Sequence, residues 1–246
     1  MTTTTIPTSP GALTLLQIIQ SATKRIGLQT PVSAIASTDP TILQLVALCE
    51  EEGQEQATSM QWESLQYEAQ FTTVAVENQG ALKTIAPGFD YVLNNAMWNR
   101  TLRRPVYGPN TPQEWQQSKA MQLNGPWNSY RIRGDAIYFY PAPPAGQQID
   151  FEYYSKNWVY PVTGITSPIW TADSDQPLVN DQLMILGLVW RWREAKGLDF
   201  SGDFQKYEKR KADAFARDAS RPIINMGGGS YEINPVVLVP RGSWGQ

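Results

Sequence analysis

The 246-residue sequence contains no histidine and a single cysteine. Without imidazole, the commonest general base and the commonest neutral metal ligand are missing. That excludes Ser-His-Asp, Cys-His and histidine-rich metal schemes. Cys49 is alone, so no internal disulfide is possible and a reducing compartment at synthesis is the default. No run approaches the ~20 apolar residues of a membrane-spanning helix, and no membrane contact is expected. The N-terminal MTTTTIPTSPG lacks the basic-then-apolar layout of a signal peptide and reads as a flexible arm over residues 1–12. The net charge of −3 exerts no global pull toward nucleic acid or anionic membrane.

Charge of one sign is also missing locally. Between Ile26 and Leu82 there is no lysine or arginine, while Asp39, Glu50, Glu51, Glu52, Glu55, Glu63, Glu68 and Glu77 all fall there. From Arg191 to Arg221 the sign reverses, through Arg191, Arg193, Lys196, Lys206, Lys209, Arg210, Lys211, Arg217 and Arg221. In an isolated chain these stretches read as two solvated helix faces. In a ring, an acidic face on one copy and a basic face on the next would favour head-to-tail contact.

What is present begins with helical periodicity. Leu15, Ile18, Ile19, Ala22 and Ile26 share a face, and Gly27 stops that helix. Asp39 is a suitable N-cap with Pro40 at the first helical position, and the stripe Ile42, Leu45, Val46, Cys49 runs on past Gly53 toward Trp62. Strands are expected over Ala69 to Val76 and around Leu82 to Ile85, joined by a turn at Asn78-Gln-Gly80. Thr111 caps a short helix through Met121. Tyr130 to Val159 alternates apolar and polar residues around the turn Gly134-Asp135 and the break Pro141-Ala-Pro-Pro-Ala-Gly146, which reads as a three-stranded antiparallel meander. Asp173 to Pro177 leads into a helix to about Lys196 that is apolar nearly all round, and Gly197 ends it. A last helix from Phe200 to Asp218 is amphipathic through Phe204, Tyr207 and Phe215.

Helices, then strands, then helices give an α+β fold. A helical bundle is assigned to residues 13–65 and 173–219, with a β-rich antiparallel insertion at 66–172. Residues 220–246 form an extended C-terminal tail: three consecutive glycines, several prolines and few charges, yet too many apolar side chains for a typical disordered segment.

Candidate chemistry is thin. Cys49 on an apolar helical stripe is an inert core thiol. Asp173 and Asp175 form a DxD pair of the kind that holds a divalent metal, but their place before a helix makes capping the stronger reading. Glu50 to Glu52 point in different directions on a helix and cannot line one cleft. Gly227-Gly-Gly229 lacks the Lys-Ser/Thr of a phosphate loop. No catalytic residue, metal ligand or cofactor site is expected. Tyrosines beside Arg131 and Arg133 invite comparison with single-strand nucleic-acid platforms, but Asp135, Asp150 and Glu152 add negative charge to the same segment. A protein interface suits them better.

The sequence resembles the head-to-tail adaptor proteins of tailed bacteriophages. The resemblance is carried by YPAPPAG and Tyr154-Ser-Lys-Asn-Trp158. It extends to Trp98-Asn-Arg-Thr-Leu-Arg-Arg-Pro105, Gly108-Pro-Asn-Thr-Pro-Gln-Glu-Trp115, Leu186-Gly-Leu-Val-Trp-Arg-Trp192 and Lys196-Gly-Leu-Asp-Phe200. It implies a non-enzymatic virion protein at the capsid–tail junction, made in the host cytoplasm. The implied partners are the portal protein, further copies in a ring of twelve, a tail or nozzle/collar protein, and DNA passing through the lumen. On that reading Tyr231, Val236, Val237 and Trp244 anchor the tail on the portal, and Arg103 and Arg104 face the lumen. A tail-tube or tail-terminator ring protein is the neighbouring alternative. A carboxylate-dependent cell-wall glycan hydrolase carried in the virion is the alternative from another class.

Overall fold

The structure, a computed structural model, describes residues 13–93, 95–121 and 127–218. Its helices are α1 (Leu15–Ile26), α2 (Pro40–Ser59), the single turn α3 (Leu82–Ile85), α4 (Pro112–Ala120), α5 (Asp181–Ala195) and α6 (Ser201–Asp218). Its strands are β1 (Gln66–Thr72), β2 (Asn78–Ala81), β3 (Phe89–Val92), β4 (Trp98–Asn99), β5 (Arg104–Pro105), β6 (Ser129–Arg133), β7 (Ala136–Tyr140), β8 (Gln148–Ser155), β9 (Val159–Tyr160) and β10 (Gln176–Pro177). The fold is α+β.

Local signals place most helix ends. Thr14 and Gln17 close a capping box on α1, and Gly27 ends it in the left-handed conformation. Asp39 accepts from the Thr41 N–H at the start of α2, and Thr111 with Glu114 forms a second capping box on α4. Helix α2 passes through Gly53 because Trp158 lies flat against that position: a Cβ there would sit 2.2 Å from the indole ring. Helix α5 is buried on most sides, through Leu183, Met184, Ile185, Leu188, Val189 and Trp190, and packs against α1, α2 and α6. This bundle forms one core, which also takes in Trp158, Val159 and Trp170 from the span assigned to the insertion.

A second core fills the β-rich part, through Tyr130, Ile137, Phe139, Ile149, Phe151 and Tyr153 among others. Here the expected meander is corrected. Strands β6 and β7 pair around Gly134 and Asp135, both at positive φ, but β7 pairs next with β2. Strand β8 is instead central to a five-stranded sheet, antiparallel to β1, β3 and β4. The proline-rich link explains the split. Pro141, Pro143 and Pro144 have no N–H to donate to a ladder, and the chain re-pairs only where Gly146 donates to Thr73 O and Thr73 to Gln147 O. At Thr73 the β1–β2 connection crosses between the same two sheets.

Three further assignments change. Asn78-Gln-Gly80, expected as a turn, falls within β2, and Leu82–Ile85, expected as a strand, is the helical turn α3 that buries Leu82. Helix α5 begins at Asp181, and its N-cap is Asn180 rather than Asp173 or Asp175: Asn180 accepts from the N–H groups of Gln182 and Leu183.

Candidate functional site

Asp173 and Asp175 hold loops rather than a helix end or a metal. Asp173 accepts from the Ser33 hydroxyl and from the N–H groups of Ala34 and Ile35. Asp175 accepts from the N–H groups of Thr171 and Ala172 and from the Thr171 hydroxyl. Burial works against ionisation of Asp173, but the Ile35 N–H, the Ser33 hydroxyl and the Ala34 N–H outweigh it and hold its pKa below the ordinary value. Among the described residues no group of three or more His, Cys, Asp or Glu side chains could hold a metal ion. Burial, with Glu52 and Glu50 nearby, pushes the Cys49 thiol well above its ordinary pKa, which disfavours the nucleophilic thiolate.

The oppositely charged stretches meet in part inside the chain, which corrects the reading as solvated faces at Arg191, Lys211 and Glu52, while Lys206, Lys209, Arg210 and Arg217 on α6 are exposed. Arg191 on α5 reaches across to α2, where Nε donates to Glu52 at 2.9 Å, Nη1 to Glu51 at 2.9 Å and Nη2 to Glu55. Lys211 on α6 adds a 3.3 Å pair to Glu55. Glu52 is fully buried, takes a second hydrogen bond of 2.7 Å from Gln56, and lies against Gly187, where a Cβ would overlap its carboxyl group. Burial raises the Glu52 pKa against the opposing pull of Arg191 and Gln56. These acids converge on one guanidinium, not across a cleft.

Two surfaces remain, at opposite ends of β8. At its Gln148 end, Arg100 to Arg103 form the exposed turn between β4 and β5, tied to β8 where Arg100 N–H donates to Gln148 O and Gln148 N–H to the Thr101 hydroxyl. Arg100 is committed to Asp150 and Glu68. Arg103 and Arg104 are exposed, and the Arg104 guanidinium lies 5.4 Å from the Trp127 ring centroid. Trp127 packs edge-on against Tyr107, and both rings are about half exposed.

At its Tyr154 end, a cleft of about 680 Å³ opens between the bundle and the large sheet, lined by Met60, Gln61, Glu63, Gln66, Leu93, Tyr154 and Asp218. Asp218 accepts from the Glu63 N–H at 3.0 Å, which pins the end of α6 to the turn before β1. Beside it Gln66 donates to Glu152 at 2.6 Å, and Tyr91 packs on Tyr154 with ring centroids 5.0 Å apart. Among the described residues no lysine or arginine lines this cleft. Burial first, then the negative surroundings of Tyr91, Asp218, Glu152 and Glu63, raise the Tyr154 pKa. Arg217 and Arg210 line a separate groove on the other side of Asp218, with Trp62 and Asp213.

Sequence reasoning singled out Arg103 and Arg104 but missed the cleft. Glu152 and Tyr154 were legible as one face of an alternating strand. Glu63 and Asp218, 155 positions apart, are joined only by the packing of α6. Tyr231, Val236, Val237 and Trp244 lie outside the described residues, as do the N-terminal arm and the tail. No described helix is long and apolar enough to cross a membrane.

No curated protein matches the chain. A family model described as SU10 adaptor protein matches residues 13–230, through both cores. The chain therefore belongs to that family, which makes it a structural head-to-tail adaptor of a tailed phage, with its place in the virion.

Proposed function

We propose that the chain forms a ring of twelve copies that docks beneath the portal, passes DNA through its lumen, and presents the next surface to a tail or nozzle/collar protein. The observation that carries this reading is the family match over residues 13–230. On this reading the bundle of residues 13–65 and 173–219 contributes the ring's scaffold, and the insertion at 66–172 the collar. The mechanism is recognition and assembly.

The tail from residue 220 clasps the portal. Tyr231, Val236, Val237 and Trp244 are its anchors, since an extended segment must bury apolar or aromatic groups to offset its ordering entropy. In solution the chain is monomeric or weakly associated, and the portal templates the ring. The test is to mix the full chain with purified portal and image the product. Rings on portal, lost on deletion of residues 222–246 with circular dichroism unchanged, are the expected result, and Trp244→Ala alone weakens binding by about 2 kcal/mol. Portal binding that survives the deletion would refute the clasp. A stable ring at low micromolar concentration without portal would refute templating.

A further inference from the structure

The intramolecular pairing of Arg191 and Lys211 with the α2 glutamates weakens the charge contrast on which a copy-to-copy contact was expected to rest. The two ends of β8 supply another. We infer that the Arg103–Arg104 turn of one copy seats in the Glu63–Asp218 cleft of the next. This rests on the ring reading above and deepens it by naming both halves of the contact.

The chemistry of the cleft selects a cation. Glu63 and Asp218 line it, Glu152 flanks it through Gln66, and no basic side chain among the described residues lines it. A guanidinium suits this lining better than an ammonium. Its planar donors pair with carboxylates in a fork, and its face stacks on aromatic rings, of which Tyr154 lines the cleft and the exposed Tyr91 packs on Tyr154. The chain carries such a group at the other end of the same strand. Arg103 is exposed on a tight turn at positive φ, and no described carboxylate pairs with it. The neighbouring Arg104, Tyr107 and Trp127 form an exposed aromatic-arginine cluster, the composition on which interface energy concentrates.

The placement matters as much as the chemistry. Gln148 and Tyr154 are six residues apart on an extended strand, a span of about 20 Å. Complementary surfaces at opposite ends of one element cannot satisfy each other within a chain. Between copies they give a heterologous contact, which propagates and closes into a ring when the rotation permits. Packaged DNA would also attract Arg103 and Arg104, but it would leave the acidic cleft unexplained.

The test is disulfide trapping between full-length variants, with Cys49 left in place because it is buried. Arg103→Cys and Glu63→Cys are made separately, mixed and oxidised, both free and on portal. The expected result is a mixed dimer severalfold above the homodimers of either variant alone, and a ladder from the double variant. Arg103→Glu should weaken association about tenfold, and adding Glu63→Arg should restore it. A mixed dimer no more abundant than the homodimers overturns the inference. So does preferential in-chain trapping of Glu63→Cys with Arg221→Cys, which would seat the chain's own tail in the cleft. So does an Arg103→Glu variant that loses affinity for duplex DNA while associating normally. Rings that form on portal without the 63–103 cross-link refute this contact alone, whereas failure of rings to form on portal refutes the ring reading as well.

Discussion

Arg191→Met tests the centre of the bundle. Methionine keeps much of the aliphatic packing of the side chain, whose guanidinium also lies 4.7 Å from the Trp190 ring centroid, but it removes the charge. Glu51 and Glu55 are partly exposed and can be hydrated; Glu52 cannot, being fully buried. Stranding one partner of a buried pair costs about 3–5 kcal/mol. Gln56 still donates to Glu52, which argues for the lower half of that range. Proton uptake sets a ceiling: neutralising a carboxyl of ordinary pKa near 4.3 costs about 3.7 kcal/mol at pH 7 and about 1 kcal/mol at pH 5.

The sign of the pH dependence follows. Burial already raises the Glu52 pKa in the native protein, and loss of the guanidinium raises it further. The folded variant therefore binds more protons than the unfolded chain between its unfolded and folded pKa values. Its stability falls as pH rises through that window. Denaturant unfolding followed by tryptophan fluorescence should show a deficit of about 3–4 kcal/mol at pH 7 that shrinks by at least half at pH 5. Adding Glu52→Gln should recover most of it at pH 7. A deficit below about 1 kcal/mol at pH 7, or one equal at both pH values with no rescue, would refute a buried ionised Glu52 as the reason Arg191 is needed.

Gly53→Ala gains up to about 1 kcal/mol of helix propensity, but the Cβ would stand 2.2 Å from the Trp158 ring. The expected outcome is net destabilisation of about 1–3 kcal/mol in thermal or chemical unfolding, and a stabilised variant would show that Trp158 yields freely. Asp173→Ala should leave α5 intact, since Asn180 caps it, and should loosen the 33–35 loop at a cost of about 1–3 kcal/mol, read as faster proteolysis there. Because the folded pKa of Asp173 is lowered, its contribution is present above the unfolded value near 3.9 and lost as pH falls below it. Asp173→Ala should accordingly flatten the acid limb of the stability profile, and an unchanged acid limb would count against the loop role.

The parts legible in the sequence are those whose cause is local. Asp39 and Thr111 announce helix starts because their partners lie two or three residues away. Gly134-Asp135 announces a hairpin because both residues adopt positive φ. The errors all lie where a distant partner decides. Alternation over Tyr130–Val159 fixes which side chains share a face, but not which strand lies alongside. A proline link between β7 and β8 fits a meander or a change of sheet equally well, and only Thr73, some 70 positions upstream, settles it. Asp173 reads as a cap from its neighbours, whereas its true partners are Ser33, Ala34 and Ile35.

Charge is the clearest case of this limit, and it bears on how an adaptor must be built. Counting acids and bases along the chain marks the Glu50–Glu55 and Arg191–Arg221 stretches as the dominant features, yet much of that charge is spent inside the bundle, where Arg191 and Lys211 join α2 to α5 and α6. A charge so committed is a poor candidate for an intermolecular contact, because a new partner must first break an existing pair. Other groups available to another molecule are less conspicuous in sequence: Arg103 on a turn, and Glu63 and Asp218 around a cleft that no described cation lines. The proposed templating would be served by that division. Strong electrostatics held within the single chain and weak, separated surfaces left for its neighbours would make association wait for a template that brings the copies together.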